Sequence, residues 1–235
     1  MLAGGVIAKE MVQGTAEYGY SCLRAFSYMI DALNVGTTYS IIVNKVDCRF
    51  MYYFLSLGPY IRGFAYMRKV IVVNETHLYG KYEGVLLSMV AQDTENYIYP
   101  IFFCIIDKEN DASWTFFFEK NNSIVVDGPN LYFISDRYNS IANGIAKAYN
   151  HAHQGYCMRH LGENLRVNHH CGEHLYLFYN AAKAYYPKEF SNHFVKFKNY
   201  CPEAAFFLEH ELGFEKWSRT YFPSNRFDVI TTNIV

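Results

Sequence analysis

Asp136 stands where the apolar run Leu131-Tyr132-Phe133-Ile134 gives way to Ser135-Asp136-Arg137, a carboxylate at the exposed end of a strand-like segment. A second apolar run, Val70-Ile71-Val72-Val73, ends in the same manner at Asn74, followed by Glu75, Thr76 and His77. Acidic side chains that converge from separate strand ends can hold two hard divalent cations and drive phosphodiester cleavage. Here Asp136 is the candidate catalytic and metal-binding carboxylate, and Asn74 occupies the partner position with a neutral amide. Glu75 is not expected to take its place, because adjacent strand residues point to opposite faces. Arg137 could hold a DNA phosphate, and His77 reads better as a surface residue than as a ligand. Cys157-x-x-His160 and Cys171-x-x-His174 have the spacing of a four-ligand zinc site. We read the first pair as a structural element following a strand, and zinc is not expected. Trp114 reads as core rather than as a base-stacking residue.

The order of elements around these residues sets the fold class. Thr15 can cap one helix over 16–33, with Gly36 closing it, and strands are expected over 37–43 and 48–55. Gly58-Pro59 breaks the pattern ahead of a short amphipathic piece over 60–67. Three strands then follow closely, 70–73, 84–91 and 97–106, with polar turns suited to antiparallel hairpins. Asp111 can cap a helix over 112–119, a fourth strand covers 130–134, a helix covers 140–150 and a fifth strand lies near 155–157. Three antiparallel strands, helix, strand, helix, strand is the ribonuclease-H-like order: an α/β mixed sheet flanked by helices. The remainder is helical in pattern, with 183–186 preceding Pro187 and 203–212 following Pro202 at the first helical position, and reads as a helical insertion. Residues 1–68 therefore lead into a core over 69–160, and residues 161–235 hold the insertion and the segment after it.

Composition narrows the function classes. At 235 residues, with 51% apolar side chains, the chain can bury a sizeable core. It has no apolar stretch long enough to span a bilayer and no secretory leader pattern, so no membrane role is expected. Six cysteines are too sparse for a disulfide scaffold, which suggests a reducing, intracellular setting. A net charge of −1 lacks the basic excess usual in DNA-binding domains.

Several motifs then become specific in combination. Val72-Val73-Asn74-Glu75-Thr76-His77-Leu78-Tyr79-Gly80, Glu109-Asn110-Asp111-Ala112-Ser113-Trp114, Ile134-Ser135-Asp136-Arg137, Cys157-Met158-Arg159-His160-Leu161 and Thr231-Thr232-Asn233-Ile234 occur in an order that resembles the catalytic core of plant Mutator-like element transposases. The similarity runs from about Ala8 to Val235. It implies a DDE-type enzyme that cuts element ends and joins them to target DNA in the nucleus, using Mg2+ or Mn2+, with self-association left open. The family's second aspartate maps onto Asp136, its first onto Asn74, and its Cys-x-x-His signature onto Cys157 and His160. Its third acidic residue is expected directly after Val235. With Asn74 at the first position, strand cleavage by this chain is not expected. The alternative is a domesticated, transposase-derived regulator that binds DNA without cutting it.

Overall fold

In a computed structural model, residues 15–79, 81–223 and 229–232 are described. Expectations that fall on Met1–Gly14, Gly80 and Asn233–Val235 lie outside the described residues. By its internal contacts the chain divides into two compact units. One comprises residues 1–65, 75–88 and 100–109, the other 66–74, 89–99 and 110–235.

The strands are β1 (Thr38–Val43), β2 (Phe50–Ser56), β3 (Val70–His77), β4 (Val85–Gln92), β5 (Ile98–Ile106), β6 (Tyr132–Ser135) and β7 (His153–Tyr156). They form a mixed seven-stranded sheet in the order β1-β2-β5-β4-β3-β6-β7. β1 and β2, and β2 and β5, pair antiparallel, whereas β3 and β6, and β6 and β7, pair parallel. Parallel neighbours need a crossover, which α5 (Asn139–Ala148) supplies between β6 and β7. The run β5-β4-β3-β6-β7, with flanking helices, is the ribonuclease-H-like arrangement that the order of elements predicts. β1 and β2 were expected as strands, and the structure adds where they pair: they extend the same sheet beyond β5.

The first unit holds α1 (Ala16–Ser21) and α2 (Leu23–Leu33). A single helix over this stretch is corrected to two, divided at Cys22. Thr15 does cap the first, its hydroxyl accepting from the Tyr18 N–H at 3.2 Å. α2 is fixed to the sheet by a buried Ser27–Tyr53 hydroxyl hydrogen bond of 2.9 Å. Gly58-Pro59 opens a helix rather than merely breaking the chain: α3 runs from Gly58 to Gly63 with the proline in its first turn, where a missing N–H costs nothing.

In the second unit, β6 and the first half of β3 are buried at every residue. This is why both read as unbroken apolar runs, since a parallel strand covered on two faces has no solvent side to alternate with. α4 (Asp111–Asn122) lays Trp114, Phe117 and Phe118 into the core, with the Phe118 and Phe133 rings 5.6 Å apart. Trp114 is fully buried, as a core residue should be. α5 approaches closely because Gly144 has no side chain: a Cβ there would lie 2.7 Å from the Phe118 ring and 3.0 Å from the Trp114 carbonyl oxygen.

The cap of α4 is Asn110, not Asp111 as the sequence suggested. The extended Asn110 places its side-chain oxygen 2.9 Å from the Ala112 N–H and 3.0 Å from the Ser113 N–H, while Ser113 Oγ accepts from the Asn110 N–H. Asp111 is the first helical residue, where its charge suits the helix dipole. Asn110→Ala is expected to lower stability by about 1 kcal/mol, measurable by urea denaturation, with Asp111→Ala costing less.

Beyond β7 the chain is helical: α6 (Met158–Asn168), α7 (Leu175–Lys183), α8 (Pro187–Tyr200), α9 (Pro202–Phe206), a π-helical turn (Phe207–Leu212) and α10 (Phe214–Trp217). These pack about a core of their own that includes Leu161, Leu165, Phe178, Phe194, Phe197 and Trp217. A smaller cluster of Val70, Val72, Tyr132, Ile134, Phe222 and Val229 lies on one face of β3 and β6.

Candidate active site

β6 lies between β3 and β7, parallel to both, so β6 and β7 finish at the same end of the sheet, while β3 continues past Asn74 to His77. The β3–β6 register pairs Val70 with Tyr132 and Val72 with Ile134. Continued two residues beyond its last pair, that register would set Asn74, within β3, level with Asp136, which stands just past the end of β6. The β6–β7 register pairs Ser135 with Tyr156, and one step further brings Cys157 level with Asp136. Open ends of parallel strands are where α/β sheets place their ligands.

The strand end is held locally. Ser135 Oγ donates to the Asp136 carbonyl oxygen and accepts from Gln154 Nε2, each at 2.9 Å. Asp136 Oδ1 accepts from the Arg137 N–H at 2.6 Å. Asp136 is no helix cap, because α5 starts three residues on, with Tyr138 at its N-cap position and no side-chain cap bond. His160 Nδ1 approaches Asp136 Oδ1 to 3.8 Å, and each side chain is a little over one-third exposed.

Cys157 and His160 are joined to this end by the start of α6. Cys157 sits at the helix N-cap position and is fully buried. Its Sγ accepts from the Thr232 N–H at 3.2 Å and from Thr232 Oγ1 at 3.5 Å, and the Met158 N–H donates to the Ile230 carbonyl oxygen at 2.8 Å. Burial pushes the thiol up, but hydrogen bonds from the His160 and Thr232 side chains outweigh it and bring the pKa down to about 7. The Cys-x-x-His spacing thus turns both side chains inward from one helical turn. The thiol anchors the 230–232 segment and the imidazole reaches toward Asp136. The motif's Thr231 and Thr232 arrive beside the site, a long-range contact invisible to periodicity.

Asp136, Arg137, Tyr138, Tyr156, Cys157 and His160 line a cleft of about 370 Å³. The Arg137 guanidinium lies over the Phe207 ring, 4.8 Å from its centroid. His77, by contrast, is the exposed last residue of β3. The second Cys-x-x-His pair is in a different environment. Cys171 is buried in the helical core with its thiol pushed up to about 12 by burial and by neighbouring Cys201, while His174 stacks on Tyr200 at 4.2 Å. The four ligands of the zinc arrangement are therefore not assembled. Among the described residues no group of three or more His, Cys, Asp or Glu side chains could hold a metal ion.

The donors at the strand ends are one carboxylate, one imidazole and, level with them, one amide. A pair of hard divalent ions calls for several carboxylates that bridge and neutralise them. The described residues do not make such a site.

Residues 70–164 match the family model of the MULE transposase domain. The match begins on the first residue of β3, ends within α6, and includes Asn74, Asp136, Cys157 and His160. It supports a transposase-family function for this segment. No curated protein matches the chain. Among the described residues no helix is long and apolar enough to cross a membrane.

Proposed function

We propose that residues 70–164 are the core of a Mutator-like, DDE-type transposase in which the first acidic position has become Asn74, so that the chain engages DNA but does not cut it. The observation that supports this reading is the register of β3 and β6: continued two residues past the Val72–Ile134 pair, it brings Asn74 level with Asp136. In this reading Asp136 is the family's second carboxylate. An amide at position 74 offers a neutral oxygen and leaves a divalent charge unbalanced. Residues that act as one catalytic unit fail together, so the loss of one carboxylate removes most of the activity. Mg2+ or Mn2+ is the cation of the complete acidic set. Arg137 is a phosphate contact beside it, element ends and target DNA are the nuclear partners, and self-association on DNA belongs to the same reading.

A supercoiled-plasmid assay in Mn2+, run beside a gel-shift titration with the same DNA, tests it. The expected result is saturable DNA binding with no relaxed or linear product. Nicking by the unaltered chain that disappears in Asp136→Ala would refute the loss of activity, and an absence of DNA binding would refute the transposase reading.

A further inference from the structure

Resting on the reading above, we propose that the cleft at Asp136 continues into a stacking subsite for an unpaired nucleotide, built from Tyr138 and Tyr156 with Arg137 beside them. Arg137, Tyr138 and Tyr156 line both the Asp136 cleft and a second cleft of about 430 Å³ that also reaches Asn139 and Phe207. The two clefts therefore adjoin, and all these residues lie within one compact unit. Tyr138, at the N-cap position of α5, is 44% exposed. Tyr156, the last residue of β7, is half-buried beside the level of Asp136. The cation–π contact with Phe207 holds the Arg137 guanidinium against the wall.

Charge decides what such a surface can bind. Asp136 and Glu163 line the first cleft and Glu211 the second, against the single cation Arg137 that lines both. Glu163 is offset by a two-pronged pair with Arg166. Phosphate attraction at this end is consequently weak, and the net charge of the chain, −1, does not make up for it. Aromatic faces stack on bases without regard to sequence and need no net charge. In a duplex, each base face is already covered by its neighbour. The chemistry thus selects DNA with an unpaired base next to the strand presented to Asp136: a frayed or single-stranded end rather than a closed duplex. Asn139, next to Tyr138, also lines the second cleft.

The experiment uses the full chain without divalent ions and compares two labelled probes by fluorescence anisotropy. One is a blunt duplex. The other is the same duplex with a short single-stranded 3′ extension whose first unpaired base is 2-aminopurine. The extended probe is expected to bind about tenfold tighter, with quenching of the 2-aminopurine signal. Tyr138→Ala should bring the two affinities to within about twofold, whereas Tyr138→Phe keeps the preference because the ring remains. Raising the salt should weaken both probes while leaving the ratio between them unchanged. Equal binding of both probes by the unaltered chain overturns the subsite and leaves the transposase reading standing. So does a preference that survives both Tyr138→Ala and Tyr156→Leu. Failure to bind either probe overturns both.

Discussion

Asn74→Asp is expected to tighten Mn2+ binding at the open ends of β3 and β6 by about tenfold or more, roughly 1.4 kcal/mol, and Asp136→Asn in the same background should abolish the gain. The expectation follows from register, because Val72 pairs with Ile134 on adjacent parallel strands and Asn74 and Asp136 each stand two residues further on. Neighbouring strands lie about 4.8 Å apart, so a carboxylate at each position brings two negative charges together. Without a cation those charges repel, at a cost of about 1 kcal/mol. Repulsion of this kind raises a carboxyl pKa, since protonating one partner relieves it. The sign follows: a raised folded-state pKa leaves the metal-free variant less stable than the unaltered chain near neutral pH, and the deficit fades as pH falls through that pKa. Mn2+ should reverse the deficit at neutral pH by binding the folded state alone. Thermal denaturation of the single and double variants, with and without Mn2+ and at two pH values, reads both effects. If Asn74→Asp shows neither a metal-free deficit nor a Mn2+ gain, the two side chains do not face one another and the assignment of position 74 falls. Strand cleavage is a separate and stricter readout, because it needs the complete acidic set.

The elements that place this pair were legible because burial leaves a signature in the chain. Val70–Val73 and Tyr132–Ile134 are unbroken apolar runs, as strands covered on both faces must be, and the polar residues that follow them include Asn74 and Asp136. What the runs could not convey was which strands pair and in what register. β1 and β2 read as strands, yet nothing in their composition names β5 as the neighbour of β2. The cap of α4 was misplaced by one residue because Asn110 and Asp111 are both good caps; the choice lies in the extended backbone at Asn110 and in Ser113 completing the box. The helix break at Cys22 has no proline beside it, and Gly19 lies earlier, inside the first helix. Spacing alone made Cys171-x-x-His174 look equivalent to Cys157-x-x-His160. Only the fold shows one pair at the strand ends and the other against Cys201 and Tyr200. The bond from Thr232 to Cys157 joins residues 75 apart in the chain, beyond the reach of any local pattern.

Trp217→Ala should be among the most damaging single substitutions outside the sheet, costing about 3–5 kcal/mol. Trp217 is fully buried, with the Phe178, Phe190, Phe214 and Phe194 rings 5.3–6.1 Å from its own. Its Nε1–H donates to the Leu208 carbonyl oxygen at 3.2 Å, within the π-helical turn. Losing this buried hydrogen bond costs about 0.5–1.5 kcal/mol, which overlaps with the cavity cost rather than adding to it. Trp217→Phe separates the two, because it keeps most of the ring volume and loses only the donor; about 1–2 kcal/mol is expected. Domains commonly hold about 5–15 kcal/mol in all, so the alanine variant gives up a large share. The damage should also reach the strand ends. Met158, Leu161 and Leu165 of α6 belong to the same core as Trp217, and that helix begins at Cys157 and carries His160. Looser packing behind α6 exposes a thiol that is otherwise fully buried and already shifted toward the thiolate. Trp217→Ala should therefore be alkylated at Cys157 several-fold faster than the unaltered chain under native conditions, followed by peptide mass spectrometry, with Cys104 as the buried control in the sheet. Equal rates at Cys157, alongside a stability loss of the expected size, would mean that the helical core and the strand ends open independently.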